Sequence, residues 1–498
     1  AGPTNWTNAN GSVAGAWNSK FAVFQTNPGT VTVNNSAGAV STTGMQFIGS
    51  GWTVAGDAIT LNGDNGQTTI RVGDGTAAGA SHSATIGSEL TGASRLIKND
   101  LGTLILTGTN SYTGGTTIAA GTLQIGNGGA TGSITGDVLN NGLLRFSRTD
   151  ATSFGGLISG SGAAHVSHGQ LTLTGNNSYT GGTAISNGAT LTLGNGGTTG
   201  SIAGNVDVSG SLVFNRSNDL TYAGVISGSG SVRQIGTGKT ELTGNSSGFT
   251  GTTFVDAGIL AVNGQLGGTL DVLAAGRLQG IGTVGNTIVR GTIAPGNSIG
   301  TLNVAGNITF AAGSIYEVEA NAAGQSDKIL ASGSATINGG TVQVLAGAGL
   351  YKPQTDYTIL TAAGGVSGAF ANVTSNLAFL DPSLKYDAGN VYLRLQRNDI
   401  SFSGIGGTPN QVAAGEGTET LGWNNPVFDA VVNLSVPQAQ DAFDQLSGEI
   451  HPSARTAMIE DSRLVRHAVW ERLRASAGDE GRGVWGHAIG SWGHTSGD

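Results

Sequence analysis

The sequence predicts an all-β chain: a right-handed parallel β-helix, then an α-helical linker and the start of a transmembrane β-barrel. Three observations carry that class. A unit of about 68 residues repeats within the chain. Short strands with two-residue alternation lie between glycine-rich turns. After residue 434 the sequence changes abruptly to charged, helix-patterned segments.

The repeat comes first. Residues 104–116 read LILTGTNSYTGGT, 171–183 read LTLTGNNSYTGGT and 240–252 read TELTGNSSGFTGT. Tyr112 and Tyr179 are 67 apart, and Phe249 follows 70 later. Segment 157–162 (LISGSG) returns at 225–230, and 126–134 (GNGGATGSI) returns at 194–202. Phe146 and Arg148 have counterparts in Phe214 and Arg216. Three copies span roughly 87–260 of a β-helix region read over 1–261. A fixed period of this kind marks a stacked array.

Within each unit, Leu104 and Leu106 share one strand face, as do Leu123 and Ile125, Leu171 and Leu173, and Leu191 and Leu193. Thr, Gln and Asn fill many alternate positions, which is the pattern of a half-buried strand. A unit of this length divides into three rungs of about 23 residues, the size of a stacked coil, and so favours a solenoid over a sandwich. Residues 1–400 predict about 17 rungs, on the order of 80 Å at ~4.8 Å per strand. Glycine serves corners that need positive φ.

From about residue 262 to 400 the repeat fades while the strand pattern continues, as in Val342 with Val344 and Val391, Leu393, Leu395. Residues 401–434 read as a linker. Residues 435–498 then carry 15 charged residues in 64, against 38 in the first 434. Ser435 is a helix N-cap with Gln438 placed to reach back. Phe443, Leu446 and Ile450 follow at helical spacing, and Pro452 restarts or kinks the helix. Met458, Leu464, Val465, Ala468 and Leu473 form its broad apolar face, and Gly478 stops it. From 452 to 476 it measures ~37 Å at 1.5 Å per residue. Residues 484–493 (VWGHAIGSWG) have the length and the tryptophans of one transmembrane β-strand. Segment 482–498 is thus read as a first barrel strand, cut off before the partners that lipid would require.

Composition excludes several chemistries. There is no cysteine, so disulfide scaffolds, thiolate zinc, iron–sulfur clusters and cysteine nucleophiles are out. The net charge of -9 leaves no basic footprint for nucleic acid. No run of 18 apolar residues exists for a membrane helix. The start Ala1-Gly-Pro-Thr lacks the basic and apolar regions of a signal peptide.

Candidate catalytic motifs are weak. Gly280–Gly285 matches G-x-G-x-x-G but lies in no βαβ unit. Gly244–Gly248 and Gly296–Gly300 match G-x-S-x-G, yet no helix follows to make a nucleophile elbow. His165 and His168, three apart on a strand, should point to opposite faces and so not share a metal. Asp64 and Asp74 are isolated calcium candidates. No catalytic residue, cofactor or metal is expected. Tyr112, Tyr179 and Phe249 are candidate repeat-face residues: an exposed binding row, or ladder residues inside the stack.

These segments together resemble the passenger of a Gram-negative autotransporter, a type V secretion protein. LTGTNSYTGGT and LTGNNSYTGGT are similar to its passenger-associated transport repeats. GTIAPGNSIGTL (291–302) resembles the entry to its autochaperone region, read here over 262–400. Residues 445–473, followed by VWGHAIGSWG, resemble its linker helix and first barrel strand. The resemblance implies a barrel in the outer membrane, inserted with the barrel-assembly machinery. It implies a lumenal helix over 435–478 carrying Met458, Leu464, Arg466 and Leu473, and a passenger displayed on the cell surface or released. Some members cut at an Asn-Asn inside the lumenal helix; Asn424-Asn425 precedes the predicted helix, so that cut is not expected. The implied function is non-enzymatic adhesion to host or bacterial surfaces, with a toxin or hydrolase on a β-helix, or a bare stalk, as alternatives.

Overall fold

The structure, a computed structural model, describes residues 6–7, 14–15, 17–25, 27–347, 349, 351, 354–476, 486 and 488. The predicted barrel strand over 482–498 therefore lies outside the described residues, apart from two isolated positions.

Short strands wind into a parallel β-solenoid of about 14 turns, followed by helices. Residues one coil apart pair in register and stack into three columns. Ala84, Leu104, Leu123, Leu144 and Ala164 form part of the first. Leu171, Leu191, Leu212, Val232 and Thr253 run along the second. Leu260, Leu278, Ile293, Tyr316 and Val342 make the third. All fifteen side chains are buried. Each such aliphatic side chain contributes roughly 1.5–3 kcal/mol of transfer free energy, and each coil obtains it only from its neighbours.

The register also shows how the repeat is wound. Leu104 climbs three coils in its own column, through Leu123 and Leu144 to Ala164. The equivalent of Leu104, Leu171, then lies one face further on, in the second column. Its own equivalent, Thr240, pairs with Leu260 in the third. One repeat is thus three coils plus one face. A coil takes about 20 residues here rather than the expected 23, since Leu104, Leu123, Leu144 and Ala164 are 19, 21 and 20 apart. Outside the repeats the coils lengthen: Thr53 pairs with Thr85, and Leu330 pairs with both Asn303 and Thr361. The longer outer coils, and the change of pairing described next, bring the expected 17 rungs down to about 14 turns.

At the C-terminal end the parallel winding stops. Strand Asn390–Arg397 pairs antiparallel with both Gln354–Ala362 and Leu380–Tyr386. Residues 401–434, read from sequence as a linker, fold onto this end. They carry a 3-10 turn (Phe402–Ile405), helix α1 (Pro409–Glu419) and helix α2 (Pro426–Val431). Helix α3 (Val436–Leu446) completes the cap. Phe402 is the hub, 4.7 Å from Phe379, 4.9 Å from Phe428 and 6.4 Å from Phe443 between ring centres. The guanidinium of Arg397 lies over the Phe379 and Phe402 rings and pairs with Glu419 at 3.1 Å. Phe379, Phe402 and Phe428 stand singly in the sequence and give no periodic signal; of the four only Phe443 lies in a helical pattern.

The capping box at Ser435 is present: the Gln438 side chain accepts from the Ser435 amide at 3.1 Å. The helix is broken at residues 447–449, and α4 (Ile450–Ser476) restarts with Pro452 in its first turn, where a missing N–H costs little. Among the described residues no helix is long and apolar enough to cross a membrane, which says nothing of strands.

Candidate functional site: the repeat unit and its outward face

The repeated residues are cross-coil fasteners. Asn110 is buried; its Oδ1 accepts from Leu90 N at 2.9 Å, and its Nδ2 donates to Gly108 O at 3.0 Å and Ser133 O at 2.8 Å. Asn177 makes the same three contacts to Ile158, Gly175 and Ser201. One amide thus ties together three successive coils. In the third copy Ser246 keeps only the first bond, accepting from Ile226 N at 2.9 Å.

Tyr112, Tyr179 and Phe249 are all buried, at 0%, 0% and 1% exposure. They form no exposed binding row. Nor do they stack in one ladder, because each repeat has advanced by one face. The Tyr112 hydroxyl lies 2.7 Å from Thr116 Oγ1, and the Tyr179 hydroxyl 2.6 Å from Thr183 Oγ1. Burial raises both phenols, Tyr179 to about 12, so both remain neutral.

A further pair closes the protruding glycine loops. Arg148 donates to Gly132 O and to Ala130 O at 2.7 Å, and its Nε meets Asp150 at 2.9 Å. Arg216 repeats this with Gly200 O, Thr198 O and Asn218. The loops need glycine at Gly126 and Gly194, whose φ of +81° and +85° L side chains rarely adopt.

Lys98 and Gln234 fill equivalent buried corners. The Lys98 ammonium donates to Asn99 O, Asp100 O and Ala120 O at 2.9, 2.7 and 3.1 Å. Gln234 Nε2 donates to Gly236 O at 2.8 Å and Gly238 O at 3.2 Å. Burial brings the Lys98 ammonium down to about 8, opposed by Asp100.

The catalytic motifs resolve into structure. Ser246 is the buried fastener just described. Ser298 is exposed, and among the described residues neither serine is hydrogen-bonded to a histidine. The histidine expectation needs correction. A bulge after Val166 inserts Ser167, so that Ser147 faces His168. His168 therefore reaches the outside with His165, rather than pointing to the opposite face. Asp74 accepts from the backbone N–H and hydroxyl of Thr76 in its own turn. Among the described residues no group of three acidic or histidine side chains is placed to hold a metal.

The four residues assigned to the lumenal helix all lie on α4. Met458 is 73% exposed and Leu473 56% exposed; Leu464 is half-buried, and Arg466 bonds Ser462 Oγ at 3.0 Å. Sequence reasoning missed the buried Asn110 and Asn177, although an Asn stood two residues before each repeat tyrosine.

Fold and repeat together define a parallel β-solenoid held by periodic side-chain fasteners. The Passenger-associated-transport-repeat family matches residues 96–125, 168–193 and 232–262. The chain is 38% identical over 309 residues to the "Adhesin BmaC autotransporter" of Brucella suis biovar 1 (strain 1330), covering 62% of this chain and 8% of that protein. It is 32% identical over 343 residues to an "Extracellular serine protease" of Serratia marcescens, covering 56% of this chain and 32% of that protein. A second Serratia marcescens protein of the same description is 30% identical, with the same coverage. The chain thus spans a third or less of the length of these curated relatives. It carries the passenger-associated transport repeat and is similar to an autotransporter over 62% of its own length.

Proposed function

We propose that this passenger is displayed at the bacterial surface and acts without catalysis, as an adhesive solenoid for host or neighbouring bacterial surfaces. The observation that carries the reading is the winding of the repeat. Its buried residues serve cohesion alone, while its outward polar residues are turned onto three faces, which suits many weak contacts around the rod. Similarity to a protein described as an adhesin supports it. In this reading a barrel holds the chain in the outer membrane, the barrel-assembly machinery inserts it, and α4 occupies the lumen with Met458, Leu464, Arg466 and Leu473.

A second reading has one observation in its favour, the similarity to two extracellular serine proteases. In it the solenoid is a stalk for a catalytic unit elsewhere in a longer protein. Beads coated with the purified chain separate the two. Adhesion of coated beads to epithelial or bacterial cells, with no turnover of casein or nitrophenyl esters, supports the adhesive reading. Turnover by the chain, or beads that bind no better than albumin-coated ones, sinks it.

A further inference from the structure

Arg145 differs from the solenoid's other arginines in having a buried Nε without a hydrogen-bond partner among the described residues. Arg71, Arg148, Arg233, Arg277 and Arg290 each meet a carboxylate. Among the described residues Arg95, Arg145 and Arg216 meet none; Arg95 bonds Thr117 Oγ1, and Arg216 bonds Gly200 O, Thr198 O and Asn218. The one polar contact of Arg145 is Nη1 to Gln124 Oε1 at 3.4 Å. Register places Gln124, Arg145 and His165 side by side on three successive coils. Arg145 and His165 project outward, since their strand neighbours Leu144, Ala164 and Val166 fill the core, while Gln124 beside them is buried, its Nε2 donating to Gly126 O at 2.9 Å. Hydroxyls surround them: Ser186 Oγ is 2.8 Å from His165 Nε2, while Ser147 and Ser167 each lie 3.3 Å from His168 Nδ1.

The fold does not demand this arrangement. In the next repeat the equivalent coils pair Thr192 with Val213 and Val213 with Arg233. A valine thus serves where Arg145 stands, and Arg233 has Asp256 as its partner. An arginine placed where the scaffold accepts valine, with no carboxylate partner and imidazoles beside it, is equipped for an external oxyanion.

We propose that Arg145 and His165, with His168 at their edge and the buried Gln124 bracing Arg145, form a binding patch for the sulfate or carboxylate groups of an acidic surface polysaccharide. Arg145 supplies the fixed charge. The half-buried Ser167 and Ser186 take up sugar hydroxyls, and the coil spacing of ~4.8 Å lays a short oligosaccharide along the rod. The net charge of -9 repels long polyanions elsewhere on the chain, so short oligosaccharides are the favoured occupants. Burial, and after it the charges of Arg145 and His168, the titratable and charged groups that act on His165, lower its imidazole from the ordinary value. An oxyanion opposes that push. Occupancy therefore raises the His165 titration, and affinity grows as the pH falls through it.

The proposal rests on the adhesive reading for its biological use and on the geometry for its chemistry. The test uses the full chain with labelled histidine, titrated by NMR at low salt with three octasaccharides: sulfated heparin, oligogalacturonate and neutral maltooctaose. The expected result is an upward shift of the His165 titration with one or both acidic sugars and none with the neutral one. The arm that binds identifies the group as sulfate or carboxylate. Arg145→Gln should weaken binding about tenfold, while Arg290→Gln, which removes an arginine paired with Asp271, should leave it unchanged. An unmoved His165 titration with both acidic sugars overturns the proposal, as does equal binding by Arg145→Gln. The wild-type titration decides even if that variant folds poorly. Cell adhesion that survives Arg145→Gln counts against this patch alone. Octasaccharide binding here by a chain that adheres to no cell counts against the adhesive reading alone.

Discussion

Phe249 stands four residues before Thr253, whose Oγ1 is buried with no hydrogen-bond partner. In the two preceding repeats a tyrosine fills the place of Phe249 and bonds the equivalent threonines, Thr116 and Thr183. The third repeat has lost one hydroxyl of the pair and kept the other. Restoring it should help: Phe249→Tyr is expected to stabilise this coil by about 1 kcal/mol. Hydrogen exchange at residues 228–255 reads the change locally, which matters because a long array need not unfold in one step. Slower exchange is the expected outcome.

The three-coil fastener at Asn177 gives a graded series. Ser246 shows that a hydroxyl preserves one of its three bonds. Asn177→Ser should therefore cost less than Asn177→Ala, which strips the buried Ile158 N of its acceptor while Gly175 O and Ser201 O keep the backbone donors Ser201 N and Asn177 N, for about 1–3 kcal/mol. Urea midpoints of the two variants should fall in that order; equal midpoints would contradict the fastener role.

Lys98 makes a claim about high pH. Its ammonium is held at about 8, against 10.5 ordinarily. The folded state therefore disfavours the proton, a penalty fully present below pH 8 and relieved as the pH rises towards 10.5. Lys98→Gln copies Gln234 and should sit within about 1 kcal/mol of the wild type at pH 7. It should lack the wild type's relative gain in stability between pH 8 and 10, measured by denaturant melts.

Asp327 acts at lower pH. It is buried, with Oδ1 accepting from Gly300 N at 2.9 Å and Oδ2 from Glu319 N at 2.8 Å. Burial pushes its carboxyl up to about 7, against the pull of those two amides. A carboxyl raised on folding stabilises most below its unfolded value of 3.8, and that contribution is lost as the pH climbs to about 7. The wild type should thus lose stability relative to Asp327→Asn between pH 4.5 and 8. A constant difference between the two melts across that range would refute the assignment.

How much of this was legible beforehand follows from what leaves a periodic trace. Leu104, Leu123, Leu171 and Leu191 announce strands because alternation is local. Tyr112 and Tyr179 announce a repeat because their motif is copied. Their burial, and the one-face advance between copies, depend on coil length, and 19 to 21 residues per coil cannot be told from 23 when glycines fill the corners. The bulge that turns His168 outward is a single extra residue, invisible to a two-residue period. The cap around Phe402 relies on contacts between residues 379, 402, 428 and 443, which no short window spans. The patch at Arg145 becomes visible only when residues about 20 apart are brought side by side.

The central claim is that the solenoid is itself the adhesive element at the cell surface. The most direct measurement counts cells of a non-adherent Gram-negative strain, carrying this passenger at the surface, bound to epithelial monolayers and to one another before and after external protease shaving. The account predicts binding above the parent strain that disappears on shaving. A passenger that protease removes from the surface, on cells that bound no better than the parent, would contradict it.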